Sequence, residues 1–147
     1  MKVVIQVVDH ASVSVNNQLI NQIGKGYLLL VGIEPEDNDK IIEKMANKVI
    51  NLRINPDENG KTNLSILDIN GEILSISQFT LCAEVDKRRP SFSSAAKPDV
   101  AKPLFELFNN YLRNNNIVVK EGVFGEEMEV SLLYHGPFTF VLTHQDL

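Results

Sequence analysis

The segment Gly24-Lys25-Gly26-Tyr27-Leu28-Leu29-Leu30-Val31-Gly32-Ile33 is the most informative part of the sequence about the fold. From Tyr27 to Ile33 the side chains are apolar on both faces of an extended chain, which is typical of a strand buried in the centre of a structure. Gly24-Lys25-Gly26 lacks the third glycine of a dinucleotide fingerprint and precedes a strand, whereas a phosphate loop needs a helix N-terminus. We therefore predict a turn followed by a central strand.

Further strands are predicted before and after this central one. The candidates are apolar or alternating runs bounded by turn residues: Val3–Val8, Ala11–Val15, Leu19–Ile23, Glu72–Phe79, Met128–Leu133 and Phe138–Thr143. Asn16-Asn17 and Asn70-Gly71 are turn signals, and Tyr134-His135-Gly136-Pro137 forms a corner between the last two strands. The first three strands resemble a β-meander.

Two helices are predicted between the strands. Apolar residues recur at helical spacing from Asp39 to Ile50, and again from Leu104 to Leu112 after the polar loop 84–99. Pro103 is tolerable only in the first turn of the second helix. The order of elements predicts the mixed α/β class, in which two main helices cover a mixed sheet.

Length and composition fit one soluble domain over residues 1–147 with one core. Hydrophobic residues make up 44% of the 147 and charged residues 22%, and no apolar run is long enough to cross a bilayer. The single cysteine, Cys82, cannot form an internal disulfide, which favours the cytoplasm. A net charge of -5 excludes a global positive field, so any RNA contact must be local.

Ser77-Gln78-Phe79-Thr80-Leu81 places two hydroxyls and an amide where a strand runs into a polar loop. Strand ends are suited to binding and catalysis because the rigid sheet positions the groups while free backbone N–H donors face a ligand. The simpler interpretation is that Ser and Thr only finish the strand through local hydrogen bonds. The pentapeptide alone favours that simpler interpretation.

Two other segments have a structural and a functional interpretation. In His135-Gly136-Pro137-Phe138-Thr139 an X-Pro bond follows a glycine that permits close approach of another backbone, although an ordinary turn is the commoner case. Lys87-Arg88-Arg89 is the one concentrated basic patch, and it is either a solvated loop or a phosphate contact. The three histidines have no companion at metal-ligand spacing, so no metal is expected.

Together and in this order, these three segments resemble the D-aminoacyl-tRNA deacylases, also called D-tyrosyl-tRNA deacylases. The match runs nearly end to end and is most specific at Ser77–Leu81 and at Gly136-Pro137 with Thr139. Other matching stretches are Gln6 with Ala11-Ser12-Val13, Ile23-Gly24-Lys25-Gly26, Asn51-Leu52-Arg53, Gly71-Glu72-Ile73-Leu74, Arg89-Pro90-Ser91-Phe92 and Phe124-Gly125 with Met128.

The resemblance implies a barrel-like, β/β/α layered homodimer in which the Gly136-Pro137 loop of one subunit enters the active site of the other. It implies hydrolysis of the ester that joins a D-amino acid, or glycine mischarged on alanine tRNA, to the 3′ adenosine. The partners expected are tRNA and a second copy, with no membrane, no DNA and no cofactor. The carbonyl groups of a cis Gly136-Pro137 would leave room for a hydrogen atom on the Cα of the bound amino acid, but not for the side chain of an L-amino acid.

The resemblance also implies roles for single residues. Backbone N–H groups of Phe79 and Thr80 would stabilise the oxyanion, while Ser77 and Gln78 would position the adenosine and the ester. Thr80 is the natural candidate nucleophile, but no general base beside it is visible, so we favour activation of water by the terminal ribose 2′-hydroxyl. Substrate or tRNA contacts are expected from Lys87, Arg88, Arg89, Met128 and Thr139.

The chain departs from the family pattern near the loop. Val7 stands where an arginine that helps hold the loop is usual, and Tyr134-His135 replaces Asn followed by Asp or Ser. Phe138 stands where Val is common, and the basic loop is one residue short. We expect activity to be kept and selectivity to be tuned differently.

Two alternatives remain open at this point. The first is a conventional hydrolase that uses Ser77 or Thr80 with His135 and a carboxylate such as Asp86, although the strained elbow of such enzymes is missing. The second is a non-catalytic module for tRNA binding or dimerisation, which the altered loop suggests.

Overall fold

A computed structural model describes all residues from Met1 to Leu147. Six strands form the main sheet: β1 Lys2–Val15, β2 Gln18–Ile23, β3 Gly26–Gly32, β6 Glu72–Ser77, β7 Val119–Glu121 and β8 Glu129–Thr143. Two short strands, β4 Asn55–Pro56 and β5 Thr62–Leu64, pair with each other. The helices are α1 Asp39–Asn51 and α2 Pro98–Asn114, with single-turn 3₁₀ helices at Phe79–Cys82 and His144–Asp146.

The sheet is built around β1 and β3. β1 pairs antiparallel with β8 along one edge, and its other edge pairs with β3 over Lys2–Val8 and with β2 over Ala11–Val15. β3 continues in parallel to β6, and β6 continues in parallel to β7. Since β3 is buried along nearly its whole length, the prediction of a central strand is confirmed.

The sheet curls until its far strands almost meet. The Asn21 side-chain amide on β2 donates to the backbone carbonyl of Glu121 on β7 at 2.6 Å, and the Lys120 ammonium donates to the Gln22 carbonyl at 3.0 Å. Side chains therefore bridge the gap that backbone pairing leaves open. The mixed α/β class and the barrel-like layered architecture are both confirmed.

Apolar residues cover both faces of the sheet. On one face, 24 buried residues pack between the sheet and the two helices. On the other, seven buried residues fill the concave side where the sheet curls. Within the larger cluster the Tyr27 hydroxyl accepts a hydrogen bond from the Asn55 amide at 2.8 Å, and burial raises the pKa of Tyr27 to about 12.

Strand boundaries differ from the prediction at both ends of the chain. Val3–Val8 and Ala11–Val15 are one strand, because β1 bends through Asp9 and His10 without leaving the sheet. The last two predicted strands are likewise one strand, β8. Between Tyr134, opposite Val8, and Thr139, opposite Gln6, residues 135–138 face only one residue of β1. We call these four residues the 135–138 bulge.

The second helix begins earlier than the sequence predicts. Pro98 occupies its first turn, so Pro103 lies inside the helix and not in the first turn, where it was expected. A proline at that position removes one backbone hydrogen bond. Burial of Phe105, Phe108 and Leu112 against the sheet offsets this cost. No helix is both long and apolar enough to cross a membrane.

Candidate active site

The backbone leaves the sheet sharply at the end of β6. The Gln78 N–H still donates to the Val31 carbonyl at 2.7 Å, and residues Phe79–Cys82 then turn into a 3₁₀ helix. We call residues 77–82 the 77–82 turn. Phe79 and Thr80 are the first two residues of this 3₁₀ helix, so their backbone N–H groups have no acceptor within the helix, and no side chain accepts from them. The start of the helix therefore presents two adjacent backbone donors.

Side chains of the 77–82 turn contact one another. The Gln78 amide donates to the Thr80 hydroxyl oxygen at 2.5 Å, and this is the only side-chain hydrogen bond that Thr80 makes. No imidazole or carboxylate is paired with that hydroxyl. Thr80 is thus not arranged as an activated nucleophile within the chain.

Gly32 at the end of β3 lets the 77–82 turn pack close to the sheet. A Cβ there would lie 3.0 Å from the Cys82 sulfur, 3.1 Å from the Gln78 carbonyl oxygen and 3.1 Å from the Leu81 Cβ. In the sequence, Gly32 is recognisable only as part of the central strand. Its role is visible only once the turn is placed against it.

A cleft of about 1100 Å³ opens beside the 77–82 turn. Ser77, Gln78, Phe79 and Met128 line it, whereas Thr80 does not. Other lining residues come from the loop before α2, from α2 itself and from the segment before β8, and they include Phe92, Lys97, Phe105, Glu126 and Glu127. The contribution of α2 to the cleft was not predicted from the sequence, because no motif marks it.

A second glycine, Gly122, lies close to the Met128 side chain. A Cβ on Gly122 would lie 2.5 Å from the Met128 sulfur and 3.2 Å from Ile76. The glycine therefore makes room for the methionine at the wall of the cleft. Met128 both lines the cleft and packs against the smaller apolar cluster.

The basic patch lies on a hairpin at the rim. Glu84 and Ser91 exchange backbone hydrogen bonds of 2.8 and 2.9 Å, which leaves Lys87, Arg88 and Arg89 exposed at the tip of residues 84–91. We call this segment the basic hairpin. The Phe92 ring directly after it meets the Phe79 ring edge-on at 5.2 Å. The basic hairpin is therefore attached to the 77–82 turn, but its three cations do not line the cleft.

The Gly136-Pro137 peptide bond is cis and lies in the 135–138 bulge. Neither residue lines the cleft of its own chain, and neither does Thr139, which pairs with Gln6. The bulge faces Val7, whereas the only residues of β8 that line the cleft are Glu129 and Val130, at the start of that strand. A single chain thus keeps the two parts of the predicted site separate.

The triad of the conventional hydrolase is not assembled in the chain. His135 lies in the bulge with its Nδ1 atom 3.7 Å from the Asp9 carboxylate, not beside Asp86. Ser77 lines the cleft, from which His135 is absent.

Cys82 is 3% exposed and lies under the 77–82 turn. Burial raises the pKa of its thiol, so it stays protonated at neutral pH. This agrees with the interpretation of Cys82 as an inert packing residue.

Comparison with known proteins identifies the family. The family model described as D-Tyr-tRNA(Tyr) deacylase matches residues 4–143. D-aminoacyl-tRNA deacylase from Lactobacillus acidophilus is 52% identical over 97% of this chain and 99% of that protein. The protein of the same name from Thermosipho africanus is 50% identical over 97% of this chain and 96% of its own.

Solved structures agree on the fold. A protein described as c-Myc DNA Unwinding Element Binding Protein superposes with a TM-score of 0.92 at 38% identity, covering 97% of this chain and 98% of its own. A probable eukaryotic D-amino acid tRNA deacylase superposes with a TM-score of 0.83 at 17% identity, covering 96% and 97%. By its sequence, the chain belongs to the D-Tyr-tRNA(Tyr) deacylase family.

Proposed function

We propose that the chain hydrolyses the ester of D-aminoacyl-tRNA, releasing the free D-amino acid and tRNA. The observation that carries the proposal is the pair of N–H groups at Phe79 and Thr80, which begin the 3₁₀ helix without an intrahelical acceptor, in the turn that borders the cleft. Fixed donors aimed at a developing oxyanion lower the barrier of acyl transfer and cost no reorganisation during the reaction. Family membership supplies the substrate class.

In this proposal the attacking group is a water molecule that the terminal ribose 2′-hydroxyl orients or activates. Thr80 is a poor nucleophile because its hydroxyl oxygen accepts from Gln78 and no base is paired with it. Ser77 and Gln78 line the cleft, where they position the adenosine and the ester. Met128 forms part of the same wall and contacts the substrate.

The working unit we propose is a homodimer. β8 pairs only with β1, so its outer edge is free, and it exposes the apolar side chains of Leu133 and Val141. A free edge that carries apolar side chains favours pairing with another chain. A second copy would also bring its 135–138 bulge to the cleft, which the bulge of the same chain does not line.

Chirality is selected by the Gly136-Pro137 carbonyls of the second copy. They leave room for hydrogen at Cα of the bound ester but none for an L side chain, and Thr139 supports this subsite. Glycine has no side chain that could clash with these carbonyls. Alanine tRNA mischarged with glycine is therefore a second expected substrate.

The basic hairpin is the proposed tRNA contact. Its three cations are exposed next to the cleft, whereas the chain as a whole carries a net charge of -5. Attraction to phosphate is therefore local and sensitive to salt. With tRNA as substrate, we expect the protein in the cytoplasm.

The alternative to be tested is nucleic-acid binding without cleavage. A solved structure that is 38% identical to this chain is described as a DNA-unwinding-element binding protein. That description is the reason to test nucleic-acid binding as the alternative. The alternative predicts that charged tRNA or DNA is bound while the ester remains intact.

The test is release of amino acid from D-tyrosyl-, L-tyrosyl- and glycyl-tRNA by the purified protein. We expect cleavage of the D and glycyl esters and survival of the L ester. Equal cleavage of the D and L esters would contradict selection by the Gly136-Pro137 carbonyls. No cleavage of any ester by folded protein that still binds tRNA would establish the alternative.

A further inference from the structure

The 135–138 bulge receives no support from the residue that it faces. That residue, Val7, is 7% exposed and packs into the large core between sheet and helices. An aliphatic side chain that points into the core cannot hydrogen-bond to the backbone of the bulge. Something else must fix Gly136 and Pro137 if they are to contact a substrate precisely.

The side chains that flank these two residues form a connected support. Phe138 packs against the large core, and the His135 ring stacks on Phe138 with centroids 6.3 Å apart and an interplanar angle of 14°. His135 Nδ1 lies 3.7 Å from the Asp9 carboxylate on β1. One continuous chain of contacts thus runs from the core, through two rings, to the neighbouring strand.

Tyr134 supports the bulge from the other side. A Cβ placed on Gly136 would lie 2.8 Å from Cε2 of the Tyr134 ring, and the three nearest atoms all belong to that ring. The ring therefore lies against the α-carbon of Gly136, on the side where a side chain would project.

We propose that Tyr134, His135 and Phe138 are positioning residues that set the D over L selectivity of this chain. The proposal rests on the proposed function, because it assumes that Gly136 and Pro137 read the chirality of the ester. The three side chains act through the backbone between them and do not touch the reacting atoms. Their loss loosens the bulge, admits the L ester and leaves the D ester nearly unaffected.

The experiment measures kcat/KM for D- and L-tyrosyl-tRNA with wild type and His135→Ala. His135 is half exposed, so its removal is compatible with folding, which circular dichroism and gel filtration check. We expect the D/L ratio to fall about tenfold or more through faster L cleavage, since a misplacement near 1 Å costs up to about 100-fold in such sites. D cleavage should change less than about threefold.

Further variants separate stacking from other effects. His135→Tyr keeps a ring on Phe138 and should restore most of the ratio, whereas Asp9→Asn tests the contact to β1. Phe138→Leu removes the stacking partner and keeps an apolar group against the core. His144→Ala is the matched control, a histidine of similar exposure outside the bulge, and it should leave the ratio unchanged.

The outcomes distinguish this inference from the proposed function. If the wild type cleaves neither ester, the proposed function fails and the inference fails with it. If the wild type is D-selective while folded His135→Ala and Phe138→Leu keep the wild-type ratio, only the positioning role is refuted. If His135→Tyr loses selectivity as fully as His135→Ala, stacking is not the cause.

Discussion

The 77–82 turn and the 135–138 bulge are held in different ways. The turn continues a sheet strand, donates a backbone hydrogen bond from the Gln78 N–H to the Val31 carbonyl and packs directly on Gly32. The bulge departs from strand pairing and is held by side chains, a stacked pair of rings and the ring over Gly136. Backbone support resists substitution, whereas side-chain support varies readily. Under the proposed function, in which the bulge selects the substrate and the turn supplies the oxyanion donors, we therefore expect selectivity to be easier to change than rate.

The largest effect is expected when the backbone support of the turn is removed. Gly32→Val adds three carbons where even a Cβ would lie 3.0 to 3.1 Å from the turn. The turn must move, and deacylation of D-tyrosyl-tRNA should fall about 100-fold, as for loss of an oxyanion donor. Single-turnover kinetics measures the effect.

Gly24→Val, in the turn just before β3, is the matched control. The nearest atom to a Cβ there is the flexible Glu72 carboxylate at 3.5 Å. Equal losses for the two variants would show that bulk in this part of the sheet, and not contact with the turn, is responsible.

Neutralising the basic hairpin should have an intermediate effect on substrate capture. Lys87→Gln with Arg88→Gln and Arg89→Gln removes three exposed cations outside the cleft. KM for tRNA should rise about tenfold at low salt, with kcat kept and a shallower salt dependence. The same substitutions at Lys40, Lys44 and Lys48 on the exposed face of α1 change the net charge equally. An equal rise in KM from that control would argue against a local contact.

A smaller effect is expected at Thr80. Thr80→Ala removes the hydroxyl but keeps the backbone N–H, so D-tyrosyl-tRNA deacylation should stay within about threefold of wild type. Replacing the 3′ ribose by its 2′-deoxy form should, by contrast, nearly abolish cleavage. A loss of several orders of magnitude in folded Thr80→Ala would make Thr80 the nucleophile.

The smallest effect is expected at Cys82. Because burial raises the pKa of its thiol, the folded protein should not react with a thiol reagent at pH 7 over an hour, and activity should be unchanged. Denatured protein, in which the thiol is exposed, is the control. Rapid labelling of folded protein would mean that the 77–82 turn opens readily.

Much of this architecture can be predicted from local sequence patterns. The apolar run of β3, the helical spacing of α1 and the polar end of β6 each follow from residues close together in the chain. Gly32, Phe92 and the wall from α2 could not be predicted, because each acts through contacts with distant residues. Asp9 and His10 were misread as a break since polar residues in a bent strand resemble a turn.

The proposed active site combines the cleft of one chain with the bulge of its partner. Heterodimers carrying different tags on their two subunits test this directly. One subunit carries Gly32→Val, with a damaged cleft and an intact bulge. The other carries Gly136→Ala with Pro137→Ala, with an intact cleft and a damaged bulge, and as a homodimer it should cleave both D- and L-tyrosyl-tRNA.

The purified heterodimer should recover the D/L ratio of the wild type at about half its rate, because its one intact cleft then faces an intact bulge. A heterodimer as unselective as the Gly136→Ala, Pro137→Ala homodimer would mean that each bulge serves the cleft of its own chain, which would contradict the composite site.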